Sequence, residues 1–300
     1  MKRFLLPILI VLLVFSGCGA SEPSAQVAAT TLPVYEFTTL LCEGTPITVT
    51  RLVTEEVSCL HDYSLNVHQV KAAEAAELIV VSGAGLEEFL DDILDNKQTV
   101  DASYGVVPIC PETEEEYDHD HAHEHGHDHE EGHSHDQDPH IWLSPANASI
   151  MASNICSGLS QHYPDYADTF AANLAVLTKK LEALQTYGDK ALSALSCREI
   201  ITFHDGFAYF AESFGLTTLE AVEEESGSEA SARELIQLIE EVEHHSLPAI
   251  FTEKSGSVSA ASIIARETGC ASFTLDMAMA GDSYFDAMYH NINTVKEALE

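Results

Sequence analysis

The chain has 300 residues with 49 acidic against 13 basic side chains, a formal net charge of −36 at pH 7. Such a balance repels nucleic acid and anionic membrane surfaces and attracts cations. A chain of this length is enough for one large or two medium domains.

Met1-Lys2-Arg3 is a short basic head, and Phe4 to Phe15 is an apolar run of signal-peptide length, too short to span a membrane comfortably. Ser16-Gly17-Cys18 follows, and the whole resembles a bacterial lipoprotein signal ending in the Cys that receives lipid. Residues 1–18 are therefore expected to be signal and lipobox, with Cys18 lipidated. An ordinary secretory signal cleaved near Ala20 is the alternative. Residues 19–26 read as a flexible tether.

Strands and helices then alternate. Val27 to Leu32 reads as a strand, Val34 to Leu41 as a helix, and β-branched Ile47 to Val53 as a strand. Val67, Val70, Ala73 and Ala76 recur at helical spacing before the continuous apolar strand Leu78 to Val81. Ser82-Gly83-Ala84-Gly85 turns into a helix carrying Phe89, Leu90, Ile93 and Leu94, and Thr99 to Ala102 makes a fourth strand. Alternation of this kind predicts a parallel sheet covered on both faces.

Residues 112–138 break the pattern. His119, His121, His123, His125, His127, His129, His133 and His135 stand among Asp, Glu and Gly, with nothing to bury an apolar face. Imidazole suits zinc, copper and nickel, so the expectation is a loop that collects metal weakly. A solvated linker is the plainer alternative. His123-Glu124-His125-Gly126-His127 matches H-E-x-x-H as text. A zinc protease needs those residues on a core-backed helix, and Gly126 with no apolar stripe argues against one. Asp138-Pro139-His140-Ile141-Trp142-Leu143 is apolar enough to anchor His140 in a defined place.

Beyond the loop, a helix is expected over about Ala146 to Ser160 and a long one over about Asp165 to Leu195, carrying Phe170, Leu174, Leu177, Leu181, Leu184 and Leu192. The alternation then restarts: strands at Glu199 to Phe203, Leu216 to Leu219, Pro248 to Thr252 and Ser272 to Leu275, helices at Phe207 to Phe214, Arg233 to His245, Val258 to Glu267 and Tyr284 to Leu299. Six cysteines follow Cys18, namely Cys42, Cys59, Cys110, Cys156, Cys197 and Cys270; an exported chain could form up to three disulfides from them or keep free buried thiols.

In open α/β sheets ligands bind beyond the carboxyl ends of the strands. His61 follows the second strand, His140 ends the polar loop, His204 follows Ile200 to Phe203, and Asp276 follows Phe273-Thr274-Leu275. Two come from each half, which points to one shared metal site.

These stretches together resemble the metal-binding solute-binding lipoproteins of ABC transporters, in the zinc and manganese group. The resemblance is carried by His61-Asp62-Tyr63, Leu78 to Glu87 (LIVVSGAGLE), Asp138 to Pro145 (DPHIWLSP), Phe203 to Leu216 (FHDGFAYFAESFGL), Ile250 to Glu253 (IFTE) and Leu275-Asp276. It implies an α/β fold of two lobes, each a four-stranded mainly parallel sheet with helices on both faces, joined by one long rigid helix, with metal in the interlobe cleft. The lobes would be residues 27–160 and 197–300, with the linking helix in 161–196. By motif the ligands would be His61, His140, His204 and Asp276, with Asp62, Asp205 and Glu253 around them. Cys59 stands where the family often has a small residue or proline.

Three imidazoles suit Zn2+, whereas oxygen ligands suit Mn2+, which is the second choice. The resemblance further implies a monomer, lipid-anchored outside the cytoplasm, delivering its ion to an ABC permease with a cytoplasmic ATPase. It implies no enzymatic activity. An exported zinc hydrolase with Glu253 as base is the competing class, since it too would show three His and a carboxylate.

Overall fold

The computed structural model describes residues 25–57, 60, 63–109, 137–222, 231–254 and 258–300. The expected signal with Cys18, most of the expected tether, Cys59, His61, Asp62, Cys110 and the eight loop histidines lie outside the described residues.

The first lobe runs β1 (Val27–Ala29), α1 (Leu32–Leu41), β2 (Val49–Arg51), α2 (Val67–Ala75), β3 (Leu78–Val81), α3 (Asp91–Leu94) and β4 (Gln98–Asp101). The helices α4 (Pro145–His162) and α5 (Ala167–Leu192) follow. The second lobe runs β5 (Glu199–Thr202), α6 (Ala208–Ser213), β6 (Thr217–Ala221), α7 (Ala232–His245), β7 (Ala249–Glu253), α8 (Ser259–Thr268), β8 (Ala271–Leu275) and α9 (Tyr284–Leu299).

Sheet order is β2-β1-β3-β4 in the first lobe and β6-β5-β7-β8 in the second. Among the described residues every pairing is parallel. The two halves thus repeat one topology without a visible sequence repeat.

Local chemistry sets the element ends. Pro33 sits in the first turn of α1, where its fixed φ favours helix, so the strand expected to reach Leu32 stops at Ala29. Asn66 and Gln69 form a capping box that starts α2. The Ser144 hydroxyl accepts from Asn147 N and Pro145 opens α4.

Because both sheets are covered on both faces, alternate strand residues go to different cores. Val27, Ala29, Leu78 and Val80 join Ile200, Ala249, Phe251 and Leu275 in one buried cluster that spans both lobes. Ala28, Leu52, Ile79 and Val81 face the opposite way, against α2 and the turn around Leu90. Ile201, Phe203 and Ile250 face α7 and α8 through Leu238, Val242, Ala261 and Ile264.

The long helix α5 feeds the shared cluster with Phe170, Leu177, Leu181, Leu184 and Leu192, spaced along one stripe. Gly188 lies on that stripe because α6 comes close: a Cβ there would lie 2.1 Å from Phe214 Cε1. Emptying one such site, as in Leu184→Ala, typically costs about 2–5 kcal/mol. A common core of this kind ties the lobes together far more firmly than a hinge between separate domains would.

The three-disulfide framework is not formed. Cys42, Cys156, Cys197 and Cys270 are all free thiols, Cys42 and Cys156 buried. Burial pushes the Cys42 thiol up to about 12. No helix among the described residues is long and apolar enough to cross a membrane.

Candidate metal site

His140 and His204 meet at the cleft. Their Nε2 atoms lie 3.3 Å apart, and the rings stand edge to face at 83° with centroids 5.0 Å apart. Two nitrogens bound to one zinc at 2.0–2.1 Å, subtending a tetrahedral angle, would lie about 3.3–3.4 Å apart. The pair therefore already stands at ligand spacing.

A carboxylate stands behind each imidazole, close for His140 and farther for His204. Asp138 Oδ1 accepts from His140 N at 2.8 Å and lies 2.7 Å from His140 Nδ1. A proton on Nδ1 satisfies that carboxylate and leaves the Nε2 lone pair aimed into the cleft. Glu253 Oε2 lies 3.9 Å from His204 Nδ1, on the side away from His140. The Thr202 hydroxyl donates to His204 O at 3.1 Å and fixes the end of β5.

His140 belongs to the first half of the chain but is clamped to the second. Trp142 Nε1 donates to Met277 O at 2.8 Å, and the Tyr284 hydroxyl donates to Trp142 O at 2.8 Å. Tyr209 donates to Asp138 O at 3.2 Å. Trp142 and Tyr284 are fully buried, so these bonds are well protected. His140 is 3% exposed and His204 16%, which puts the accessible side of the pair at His204.

Gly206 makes the approach possible. A Cβ there would sit 2.6 Å from Met277 Cε, 2.7 Å from His204 Cδ2 and 2.9 Å from His140 Nδ1.

Asp276 ends β8. Its backbone is bracketed by Asn291, whose Oδ1 accepts from Asp276 N and whose amide donates to Asp276 O, both at 2.7 Å. Asp276 Oδ1 accepts from Ala278 N at 2.8 Å, and Oδ2 lies 3.8 Å from Lys254 Nζ. Asp276 and Glu253 line one small cavity of about 20 Å3 with Glu56, Val57, Lys254, Met277 and Met279, room for a single water-sized guest. Lys254 also pairs with Glu56 at 2.9 Å, bridging the lobes across the cleft; its ammonium is raised above its ordinary value chiefly by that bond.

On the first-lobe side the strand ends are cinched by Glu87. It accepts from Thr30 Oγ1 at 2.6 Å, Ser82 N at 2.7 Å and Gly83 N at 3.0 Å. Burial nevertheless pushes its carboxyl up to about 7.

Of the residues expected from sequence, His140 and His204 come together directly with Glu253 behind them, and Asp276 shares Glu253's cavity. Asp138, read as the end of the acidic loop, is instead an ordered support for His140. Its signal was the Asp-x-His spacing, which lets an Asp side chain bond the backbone two residues on. Gly206 and Lys254 carried no local signal.

A pair of parallel α/β lobes sharing a core, with imidazoles and carboxylates converging on the cleft between them, defines a metal-binding solute-binding protein. The chain belongs to the family described as zinc-uptake complex component A periplasmic, which it matches over residues 27–298. That family is one of metal-binding solute-binding proteins and not of enzymes.

Among relatives, the zinc-binding lipoprotein AdcA of Streptococcus pneumoniae serotype 4 (strain ATCC BAA-334 / TIGR4) is 29% identical over 293 residues, covering 93% of this chain and 57% of that protein. This chain thus spans a little over half the length of AdcA. A crystal structure of ZnuA superposes with a TM-score of 0.76 at 27% identity, covering 92% of this chain and 100% of that one. The Zn(II)-bound ZnuA-like domain of Streptococcus pneumoniae AdcA gives 0.73 at 25% identity, covering 91% and 98%.

Proposed function

We propose that this protein captures Zn2+ outside the cytoplasm through His61, His140, His204 and Asp276, and delivers it to an ABC permease for uptake. The observation that carries the reading is the 3.3 Å separation of the His140 and His204 Nε2 atoms, the spacing of two ligands on one tetrahedral ion. The zinc-bound domain of AdcA, alike over nearly its whole length, supports zinc as the ion. Glu56 and Val57, which line the cavity beside Asp276, support placing the third imidazole, His61, at the same cleft. Asp276 or a water completes the tetrahedron. A site of imidazoles favours Zn2+ over Mn2+, which prefers oxygen ligands.

In this reading Cys18 anchors the chain to the membrane and residues 19–26 tether it. The eight loop histidines, His119 through His135, raise the local zinc concentration beside the cleft.

Competition titration of purified protein with zinc and manganese tests the proposal. One tight zinc equivalent is expected, unchanged by manganese at equal concentration and lost in the His140→Ala, His204→Ala double variant. Retention of that equivalent in the double variant would overturn the site. Preference for manganese would overturn the choice of ion. Deleting residues 118–136 should remove weak zinc equivalents and spare the tight one.

A further inference from the structure

A second group of metal-binding side chains stands at the far end of the second lobe. Glu241, His244 and His245 each offer a ligand atom, and these atoms lie within 4.8 Å of one another. They occupy the last turn of α7, at spacings of three and four residues that put Glu241 beside both histidines. The helix stops at once on Ser246, whose backbone adopts φ 53°, so the turn carrying the ligands is well defined.

The arrangement is oriented and not merely crowded. His245 Nδ1 lies 3.0 Å from Glu199 Oε2, on the first residue of β5. Its other nitrogen, Nε2, lies 3.4 Å from Glu241 Oε2. A carboxylate behind one imidazole nitrogen fixes the proton there and turns the other lone pair outward, the arrangement that supports histidine on a metal. The 3.4 Å between His245 Nε2 and Glu241 Oε2 equals the spacing of two ligands on one tetrahedral ion, about 3.3–3.4 Å. His244 is exposed and its ring already stands edge to face with that of His245, centroids 4.8 Å apart, so a rotamer change suffices to bring it in. The carbonyl end of a helix also favours a cation.

The geometry points to a second, independent site here for a divalent transition ion of the kind that prefers imidazole, zinc, nickel or copper. Glu241, His244 and His245 are its ligands and Glu199 is the positioning residue for His245. Water completes the coordination on the exposed side. Glu199 opens β5 and His204 lies past its other end, with the strand between them about 10 Å long, so an ion here cannot share ligands with the cleft. The site does not depend on the cleft reading, and its test reads a different peptide.

The test is histidine modification by diethyl pyrocarbonate on the full chain, read by mass spectrometry on the peptide holding His244 and His245. The protein is first given one equivalent of zinc and then an excess of zinc alone. Modification of both histidines should fall several-fold as the excess is added. Glu241→Gln, a surface change that leaves the fold intact by circular dichroism, removes a ligand and should raise the zinc needed for protection by more than the roughly 10- to 100-fold typical of losing a support. Glu199→Gln should raise it about 10- to 100-fold without removing any ligand. Equal modification with and without excess zinc would overturn the site. So would protection that both variants retain at unchanged zinc concentration, because it would place the ion on other groups.

Discussion

The two lobes share a strand order and an all-parallel pairing, yet they carry their chemistry on different strands. In the second lobe the central strand β5 leads straight into His204, the neighbouring strand β7 ends in Glu253, and the edge strand β8 leads into Asp276. In the first lobe the equivalent central strand β1 leads into Thr30 and Thr31, both fully buried. Thr31 bonds Ser82 at 2.9 Å and Thr30 bonds Glu87, so this end of the first sheet is spent on structure. The cleft imidazole described from the first half, His140, comes instead from the segment entering α4. A parallel sheet therefore fixes where ligands gather, at the carboxyl ends of its strands, but leaves open which strand supplies them. A second contrast lies in rigidity. His140 is framed by Asp138, Trp142 and Tyr284, whereas His204 stands nearer to solvent, with Glu253 farther off at 3.9 Å.

The strongest way to break this comparison is to remove His204. His204→Ala should weaken zinc binding by more than about 100-fold, because losing a ligand must exceed the 10- to 100-fold typical of losing its support. Calorimetry would measure it, and a loss below 10-fold would take His204 out of the coordination sphere.

Next comes the support itself. Asp138→Asn keeps the shape but presents an amide to His140 Nδ1, and zinc affinity should fall about 10- to 100-fold. The fold should remain, since the Trp142 and Tyr284 bonds persist. If the corresponding Glu253→Gln costs as much, the two imidazoles are equally dependent on their backing carboxylates and the contrast in framing fails.

Glu87 sharpens the structural side. Glu87→Gln cannot accept from both the Ser82 and Gly83 amides as the carboxyl does, and should cost about 1–3 kcal/mol of stability. The pH dependence has a definite sign. With a folded value of about 7, above the ordinary carboxyl value, the protonated form is favoured in the folded chain. Its stabilisation is complete below the unfolded value and is lost as pH rises through about 7. The stability gap between wild type and Glu87→Gln in urea should therefore be larger at pH 5 than at pH 8. A gap that widened with pH would mean that the three donors hold Glu87 ionised.

The smallest effect belongs to the bridge across the cleft. Lys254 and Glu56 are both half exposed, and such pairs are worth about 0–1 kcal/mol. Glu56→Gln should leave stability within that range and change it less still in high salt. It should also free Lys254 to approach Asp276, which a modest drop in zinc affinity would reveal.

Much of this protein was legible in its sequence. Among the described residues, short apolar runs and period-3.6 patterns located the strands and α-helices to within a few residues, since they rest on local burial and backbone preference. Pro33 is the instructive exception, where one fixed φ moved a boundary by three residues. The polar residues after strands picked out His204 and Asp276 because parallel sheets expose those positions, and the apolar run Ile141-Trp142-Leu143 picked out His140 as an anchored residue. What the sequence could not hold was anything made by distant partners. The 3.3 Å meeting of His140 with His204 joins residues 64 apart, and the Trp142 to Met277 bond joins residues 135 apart. The space that only Gly206 leaves, the cation that Lys254 sets before Asp276, and the pairing of Glu199 with the last turn of α7 likewise exist only once the sheets are packed. Local patterns determine which elements form and where their ends point. Only the packing of two sheets against one shared core decides which of those ends face each other closely enough to bind an ion.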